Sequence, residues 1–273
     1  MPKKLLRAPG KAITLRATRP NVGVAVAYQK RIDALVDAMH KSLLHWITAA
    51  YRANEPHALM AQDASPAVTL RKVINKLGRR WTKAFDEGAK EMARIFADGA
   101  AGVADNVLRS TLKKAGFTVP FHQSAAMNDA YQAVIGEQVA LIKSIPAKHL
   151  ADIEGMVMRS VQTGRDLGQL RDDIIEKYDV TKKRAALIAR DQNNKATATM
   201  ERARRLDLGI TKAKWLHSGG GVHPRPSHVK ASGTIYDVAE GCLIDNEYIQ
   251  PGELINCRCV SRAVIPGFDD DDD

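Results

Sequence analysis

At 273 residues, with 45% hydrophobic but only 5% aromatic side chains, the chain can hold one large or two modest domains and favours helices packed through small side chains over a sandwich or barrel. Its 41 Lys and Arg against 31 Asp and Glu leave a net charge of +10, which points to a polyanionic partner, nucleic acid before an acidic protein surface. Three cysteines do not make a secreted disulfide framework, no stretch reaches the roughly 18 apolar residues of a membrane span, and the first residues lack the apolar core of a signal peptide, so a cytosolic origin and no membrane partner are expected.

Residues 1–31 contain Lys3, Lys4, Arg7, Lys11, Arg16, Arg19, Lys30 and Arg31 and no acid, with Pro2, Pro9, Gly10 and Pro20 interrupting any regular element. This pattern predicts an extended basic arm. An acid-free run raises the local positive potential, which makes Lys3, Lys4, Arg7, Lys11, Arg16 and Arg19 the candidate nucleic-acid contacts. An arm laid along another subunit, or a solvated tail, fits the same composition.

From Val24 to about Arg52, Ile32, Leu35, Val36, Met39, Leu43 and Ile47 recur at three and four residues and predict one buried helix face. Ser65-Pro66 is a helix start, and a second helix is expected to run to about Lys114 with Val68, Val73, Leu77, Trp81, Phe85, Met92, Ile95 and Phe96 inward. Gly78, Gly88, Gly99 and Gly102 predict breaks or close contacts along it. Further helices are expected over 124–143, from Pro146 to Thr163 with Gly164 as its cap, over 166–178, and over 181–208.

After Gly209 the texture changes to glycine, proline and short β-like pieces, with strands expected at 213–217, 234–236 and 257–264. The fold class is therefore α+β, a mainly helical N-terminal body followed by a small α+β C-terminal domain with a short antiparallel sheet. The expected division is an arm over 1–31, a helical region over 32–143, the α+β domain over 144–266 and a solvated acidic tail over 267–273.

The chemistry-bearing residues gather at the C-terminal end. In a strand, Cys257 and Cys259 present both sulfurs to one side and Arg258 to the other. His217, His223 and His228 stand upstream, so Cys257, Cys259 and His228 with Cys242 or His223 can be written as a tetrahedral zinc set. The spacing is not that of a zinc finger, whose cysteines are about two to four residues apart, and packed, reduced thiols satisfy the same pattern. A disulfide is the poorest reading, because an extended C-x-C holds its Cα atoms about 7 Å apart, the upper limit for a bridge. Arg258 suits a phosphate or a buried carboxylate, and Asn256 a turn in which it bonds its own backbone. The glycine run 219–221 lacks the lysine of a phosphate loop and reads as a turn. No base or paired carboxylate is placed for catalysis, so no catalytic residue is assigned.

RAALIARDQNNKA at 184–196, KWLHS at 214–218, RPSH at 225–228, SG at 232–233, PGE at 251–253 and INCRC at 255–259 follow one another in an order that resembles the phage Mu F-like head morphogenesis proteins, the minor head proteins of tailed phages. The resemblance covers about residues 145–265 and rests on Trp215, Arg225, His228, Gly233, Asn256, Cys257, Arg258 and Cys259. It departs from the family where an IARTE-like segment reads IARDQ, placing an acid at Asp191, and where PGELI stands in place of a histidine before NCRC. The resemblance implies a structural virion protein made in the bacterial cytoplasm. It would lie inside the capsid near the portal, act in head assembly, DNA packaging or ejection, and contact the portal protein, the major capsid protein or other head proteins, and packaged DNA. Two other readings of the residues stand beside it: a zinc-dependent nuclease or hydrolase using His228 and the cysteines, and a DNA-binding protein with no virion role.

Overall fold

The computed structural model describes residues 12–53, 66–163, 166–219 and 223–265. Of the sequence expectations, Lys3, Lys4, Arg7, Lys11, the Gly164 cap, most of the glycine run and the acidic tail lie outside these residues. The elements in order are β1 (Ile13–Thr14), α1 (Val22–Ala53), α2 (Pro66–Lys114), α3 (Ala125–Gln162), α4 (Leu167–Asp207), β2 (Lys212–Leu216), α5 (Pro226–Lys230), β3 (Ile235–Asp237), β4 (Cys242–Ile244), β5 (Glu247–Ile249) and β6 (Val260–Ile265). The α+β class holds, with helices first and small antiparallel sheets at the C-terminal end. No helix among the described residues is long and apolar enough to cross a membrane.

Packing groups the chain into two compact units, neither continuous in sequence. One comprises the chain up to Ala25, Arg94–Ile135 and the chain from Arg190 onward; the other comprises Val26–Ala93 and Gly136–Ala189. These groupings run across the linear segments 32–143 and 144–266 read from the sequence, because helices α2, α3 and α4 each pass from one unit into the other.

The all-helical unit is built as the apolar periodicity dictates. Ile32, Val36, Met39, Leu43 and Ile47 of α1 are buried, as are Leu77, Trp81 and Phe85 of α2, Ile142, Ile153 and Val157 of α3, and Leu170 and Ile174 of α4. Val68 was expected inside and is 46% exposed; Leu70 and Ile74 carry the buried stripe at that end of α2. The glycines of α2 do not break it.

Two expected helix boundaries are absent. α3 continues through Pro146, although proline removes one helical hydrogen bond and crowds the preceding turn. Side chains brace the turn before the proline: Ser144 Oγ donates to the Leu141 carbonyl, and Arg184 donates to both the Ser144 carbonyl and its Oγ at 3.2 and 2.9 Å. α4 likewise runs unbroken through 178–181. There Tyr178 donates to Asp37 and stacks on His40, while Thr181 bonds the Lys177 carbonyl and meets His149 Nδ1 at 2.9 Å. Tertiary contacts outweigh the weak helix propensity of Asp179, Val180 and Thr181.

The mixed unit holds a four-stranded antiparallel sheet in the order β1-β6-β2-β3 and a β4-β5 hairpin. Trp215 faces Ser261 and Ala213 faces Ala263 in the central pair. The hairpin turns on Asp245 and Asn246, both at positive φ, 53° and 67°, as a two-residue turn of the primed type requires. The basic arm is corrected from residue 12 onward. Ile13 pairs with Ile265, Leu15 N–H donates to the Ala263 carbonyl, and Leu15, Ala17 and Thr18 are buried before α1 begins at Val22. Arg16 is exposed between the buried Leu15 and Ala17, so the segment completes a sheet edge on one side and shows charge on the other.

One apolar cluster of this unit joins Ala213, Trp215, Tyr236, Val238, Cys242, Ile244, Ile249, Cys257 and Cys259; another joins Leu15, Leu108, Leu112, Ile210, Ala263 and Ile265. Between strand and helix lies a buried ionic knot. Arg205 donates to Glu201 and Ser261 Oγ at 2.6 Å each, and Thr18 donates to the same Glu201 oxygen at 2.6 Å.

Candidate functional site

Trp215 is the platform of the site. It lies at the centre of β2 with no exposed surface, its N–H donating to the Thr234 carbonyl and its carbonyl accepting from Gly233 N–H at 2.9 Å. Gly233 adopts a φ of 98°, outside the range of ordinary side chains, which is why the SG pair must follow the strand. The His228 ring stands edge-on to the Trp215 ring at 5.3 Å.

RPSH forms α5 and its approach. Pro226 occupies the first helical position and holds Arg225 extended, at φ −69° and ψ 123°. One turn of helix then carries His228 to the buried side, and Arg225 Nη2 donates to the Ile255 carbonyl at 3.0 Å. The motif thereby grips INCRC from one side.

Helix α4 grips it from the other. Asn194 donates to the Cys257 carbonyl at 3.2 Å, Arg190 donates to the Asn256 side chain at 3.4 Å, and Asp191 accepts the Asn256 N–H. Asn256 sits at a φ of 61°, a left-handed position that asparagine tolerates. Asn256 is thus a turn residue as expected, but its partners are Arg190 and Asp191 and not its own backbone. The RAALIARDQNNKA segment is the scaffold that sets the INCRC backbone. The sequence signal for this was the polar run DQNN inside a helix.

Cys257 and Cys259 are not in a strand. A turn closes with Cys257 N–H donating to the Leu254 carbonyl, and β6 begins only at Val260. Hydrogen bonds from α4 and α5 occupy this stretch where a ladder would run. Alternation survives even so: Cys257 and Cys259 are buried and Arg258 is exposed. His228 Nδ1 lies 3.5 Å from Cys257 Sγ and 3.7 Å from Cys259 Sγ, and these three donor atoms all fall within 4.8 Å of one another. Among the described residues no carboxylate oxygen joins that group, and neither do Cys242, His217 or His223. Cys242 is buried on β4 in the same apolar cluster, where burial pushes its thiol up.

The two sulfurs of the C-x-C titrate as a pair. Hydrogen bonding from the Cys259 thiol holds Cys257 down against burial, helped by the backbone N–H groups of Cys259 and Gly252 and by His228. The same shared bond, with burial, pushes Cys259 up. One thiolate is favoured and the second is not, as for any close pair of like acids. All three cysteines are free thiols.

Of the nucleic-acid candidates, Arg16 and Arg19 are exposed and line an open groove with Lys114, Ser110 and Thr111. The residues that sequence reasoning passed over are the buried Arg204 and Arg205. Arg204 holds Asp105 through two nitrogens at 2.9 Å each and also donates to the His122 carbonyl. An E-x-x-x-R spacing at 201–205 was the available signal, and it reads as an ordinary exposed helix pair until burial is known.

Residues 151–262 match the family described as Phage Mu protein F like protein, so the C-terminal half carries a region of that family. An uncharacterized protein of Haemophilus influenzae is 29% identical over 205 residues, a stretch covering 74% of this chain and 44% of that protein. The match thus spans less than half the length of that relative. No solved structure matches.

Proposed function

We propose, from a C-terminal half that carries a phage Mu protein F-like region, that the chain is a minor head protein of a tailed bacteriophage. In this reading it acts inside the capsid near the portal during head assembly, with the portal protein and other head proteins as partners and packaged DNA as a further contact. The observation that carries the proposal is the family match over residues 151–262, whose motif residues build one hydrogen-bonded clasp joining α4, α5 and the INCRC turn. Such a clasp presents a rigid end domain, which suits an assembly protein. Arg16, Arg19 and Lys114 line one open groove, and with the net charge of +10 they support a place beside DNA. A hydrolase acting at His228 and the cysteines would need a base at that group, and Asp191 is engaged with the Asn256 N–H.

The test is to purify heads from a phage-producing culture by density gradient and quantify this chain in them by mass spectrometry, alongside binding of the purified chain to the portal protein of the same phage. A few copies per head and a stable portal complex are expected. Absence from purified heads would overturn the proposal, and nuclease activity lost on His228→Ala in a folded protein would favour the hydrolase.

A further inference from the structure

Two separate chain segments bring three soft or borderline donors together in the dark interior of the mixed unit. His228 is 3% exposed, Cys257 3% and Cys259 5%. Packing explains buried thiols, and a thiol–imidazole hydrogen bond brings a sulfur to such a distance; a shared metal further accounts for one imidazole nitrogen meeting both sulfurs together. Zinc binds thiolate at about 2.3 Å and imidazole at about 2.0–2.1 Å in a tetrahedron. Those bond lengths and the tetrahedral angle place sulfur and nitrogen about 3.6 Å apart along a shared edge. The two observed sulfur–nitrogen distances, 3.5 and 3.7 Å, lie on either side of that value.

We propose that His228 Nδ1, Cys257 Sγ and Cys259 Sγ form three vertices of a zinc site. The donor set selects the ion: two thiolates with an imidazole suit a borderline-soft cation such as Zn²⁺ and disfavour Mg²⁺ and Ca²⁺, which take oxygen. Cys242 does not belong to the site, since its sulfur stands outside the group of mutually close donors. The C-x-C spacing succeeds here without the wider loop of a zinc finger because the segment is held from outside. Asn194 fixes the Cys257 carbonyl, Asp191 and Arg190 fix Asn256, and Arg225 fixes Ile255. The Asn256 turn and the outward Arg258 between the cysteines then leave both sulfurs on one side. These main-chain anchors orient the ligands, as outer-shell partners do in metal sites.

Three protein ligands leave a fourth vertex. That number is typical of zinc sites which accept a small exogenous ligand, whereas structural sites use four protein ligands. The site's effect on folding is independent of that vertex: zinc would tie α5 to the INCRC turn across a gap of 29 residues between His228 and Cys257. The proposal stands independently of the head-protein reading and survives its failure.

The test uses full-length protein, made in zinc-supplemented medium and purified without a metal-affinity tag, with elemental analysis and thiol counting on one sample. Wild type and Cys242→Ser are each expected to hold one zinc per chain, and chelator is expected to raise the number of thiols that react in wild type. Cys257→Ser, Cys259→Ser and His228→Ala are expected to lose the metal. Because those variants can fail by unfolding, wild type is also stripped and refilled with Co²⁺. Visible bands of tetrahedral cobalt with a near-ultraviolet thiolate band support the site, and so does a lower Tm on stripping. Wild type that carries no zinc and takes up no Co²⁺ overturns it. A metal that survives in the folded Cys257→Ser/Cys259→Ser protein, or is lost from folded Cys242→Ser, overturns this ligand set.

Discussion

Replacing Arg205 by Met should expose the cost of the buried ionic knot, and the cost can be bounded. Arg205 and Glu201 are 2% and 5% exposed, and burial pushes the Glu201 carboxyl up against the pull of Arg205 and the Thr18 hydroxyl. Methionine keeps much of the side-chain volume but removes the guanidinium, leaving Glu201 with the Thr18 donor and Ser261 without the Arg205 donor. A stranded carboxylate costs about 3–5 kcal/mol. Protonation caps that figure. Relative to an unfolded Glu titrating near 4.3, holding the acid form costs about 4 kcal/mol at pH 7 and about 1 kcal/mol at pH 5. In the variant the folded-state carboxyl binds its proton more tightly than the unfolded one, so its stability is retained at low pH and falls as pH rises. The lost Ser261 bonds add about 1 kcal/mol at either pH. Arg205→Met should therefore lose about 4–5 kcal/mol at pH 7 and about 2 kcal/mol at pH 5. Glu201→Leu in the same chain should restore most of the difference, since no charge remains buried. Hydrogen exchange of the β2–β6 amides reads the stability of this unit alone. A loss below about 1 kcal/mol at pH 7, or a loss equal at both pH values, would refute the reasoning.

His149 is 1% exposed, and burial first, then Lys177 and His40, bring its imidazole down to about 4. The unfolded state then binds more protons between that value and about 6.5, so stability should fall as pH drops, by about 2 kcal/mol at pH 5. His149→Gln should flatten urea midpoints over that window, and an unchanged acid slope would exclude His149 as the cause. Gly241 has a φ of 108°, and a Cβ there would lie 2.9 Å from the Ile249 carbonyl oxygen. Gly241→Ala should cost about 1–3 kcal/mol in a thermal melt, and a neutral result would mean the hairpin shifts freely. If Arg16 and Arg19 contact DNA phosphates, Arg16→Glu/Arg19→Glu should lower the slope of log affinity against log salt by about 2; an unchanged slope places the contacts elsewhere.

Apolar spacing alone determined the helical body, because burial of a stripe at three and four residues leaves few other solutions. Ile32, Val36, Met39, Leu43 and Ile47 were readable as one face, and Pro66 and Lys114 as the ends of α2. The order of RPSH and INCRC likewise led to the family before any coordinates. The helix boundaries at Pro146 and 178–181 were misread because local propensity was overruled by distant partners, Arg184 in one case and Asp37, His40 and His149 in the other. β1 was misread for the same reason, since two residues become a strand only when β6 offers its edge.

Tertiary structure alone decided which donors meet. The sequence offered Cys257, Cys259 and His228 as a ligand set with Cys242 or His223 as its fourth member, and with packed thiols as the alternative. Folding brought His228 to Cys257 and Cys259, kept Cys242 outside their group on β4, and left His223 exposed. It also turned Asp191 from an unexplained acid into the acceptor that sets the Asn256 turn. Residue types and spacing determine what chemistry is available. Which atoms come within a bond length of a common point depends on contacts across 29 to 66 residues of chain, here His228–Cys257 and Arg190–Asn256, and no local pattern encodes those.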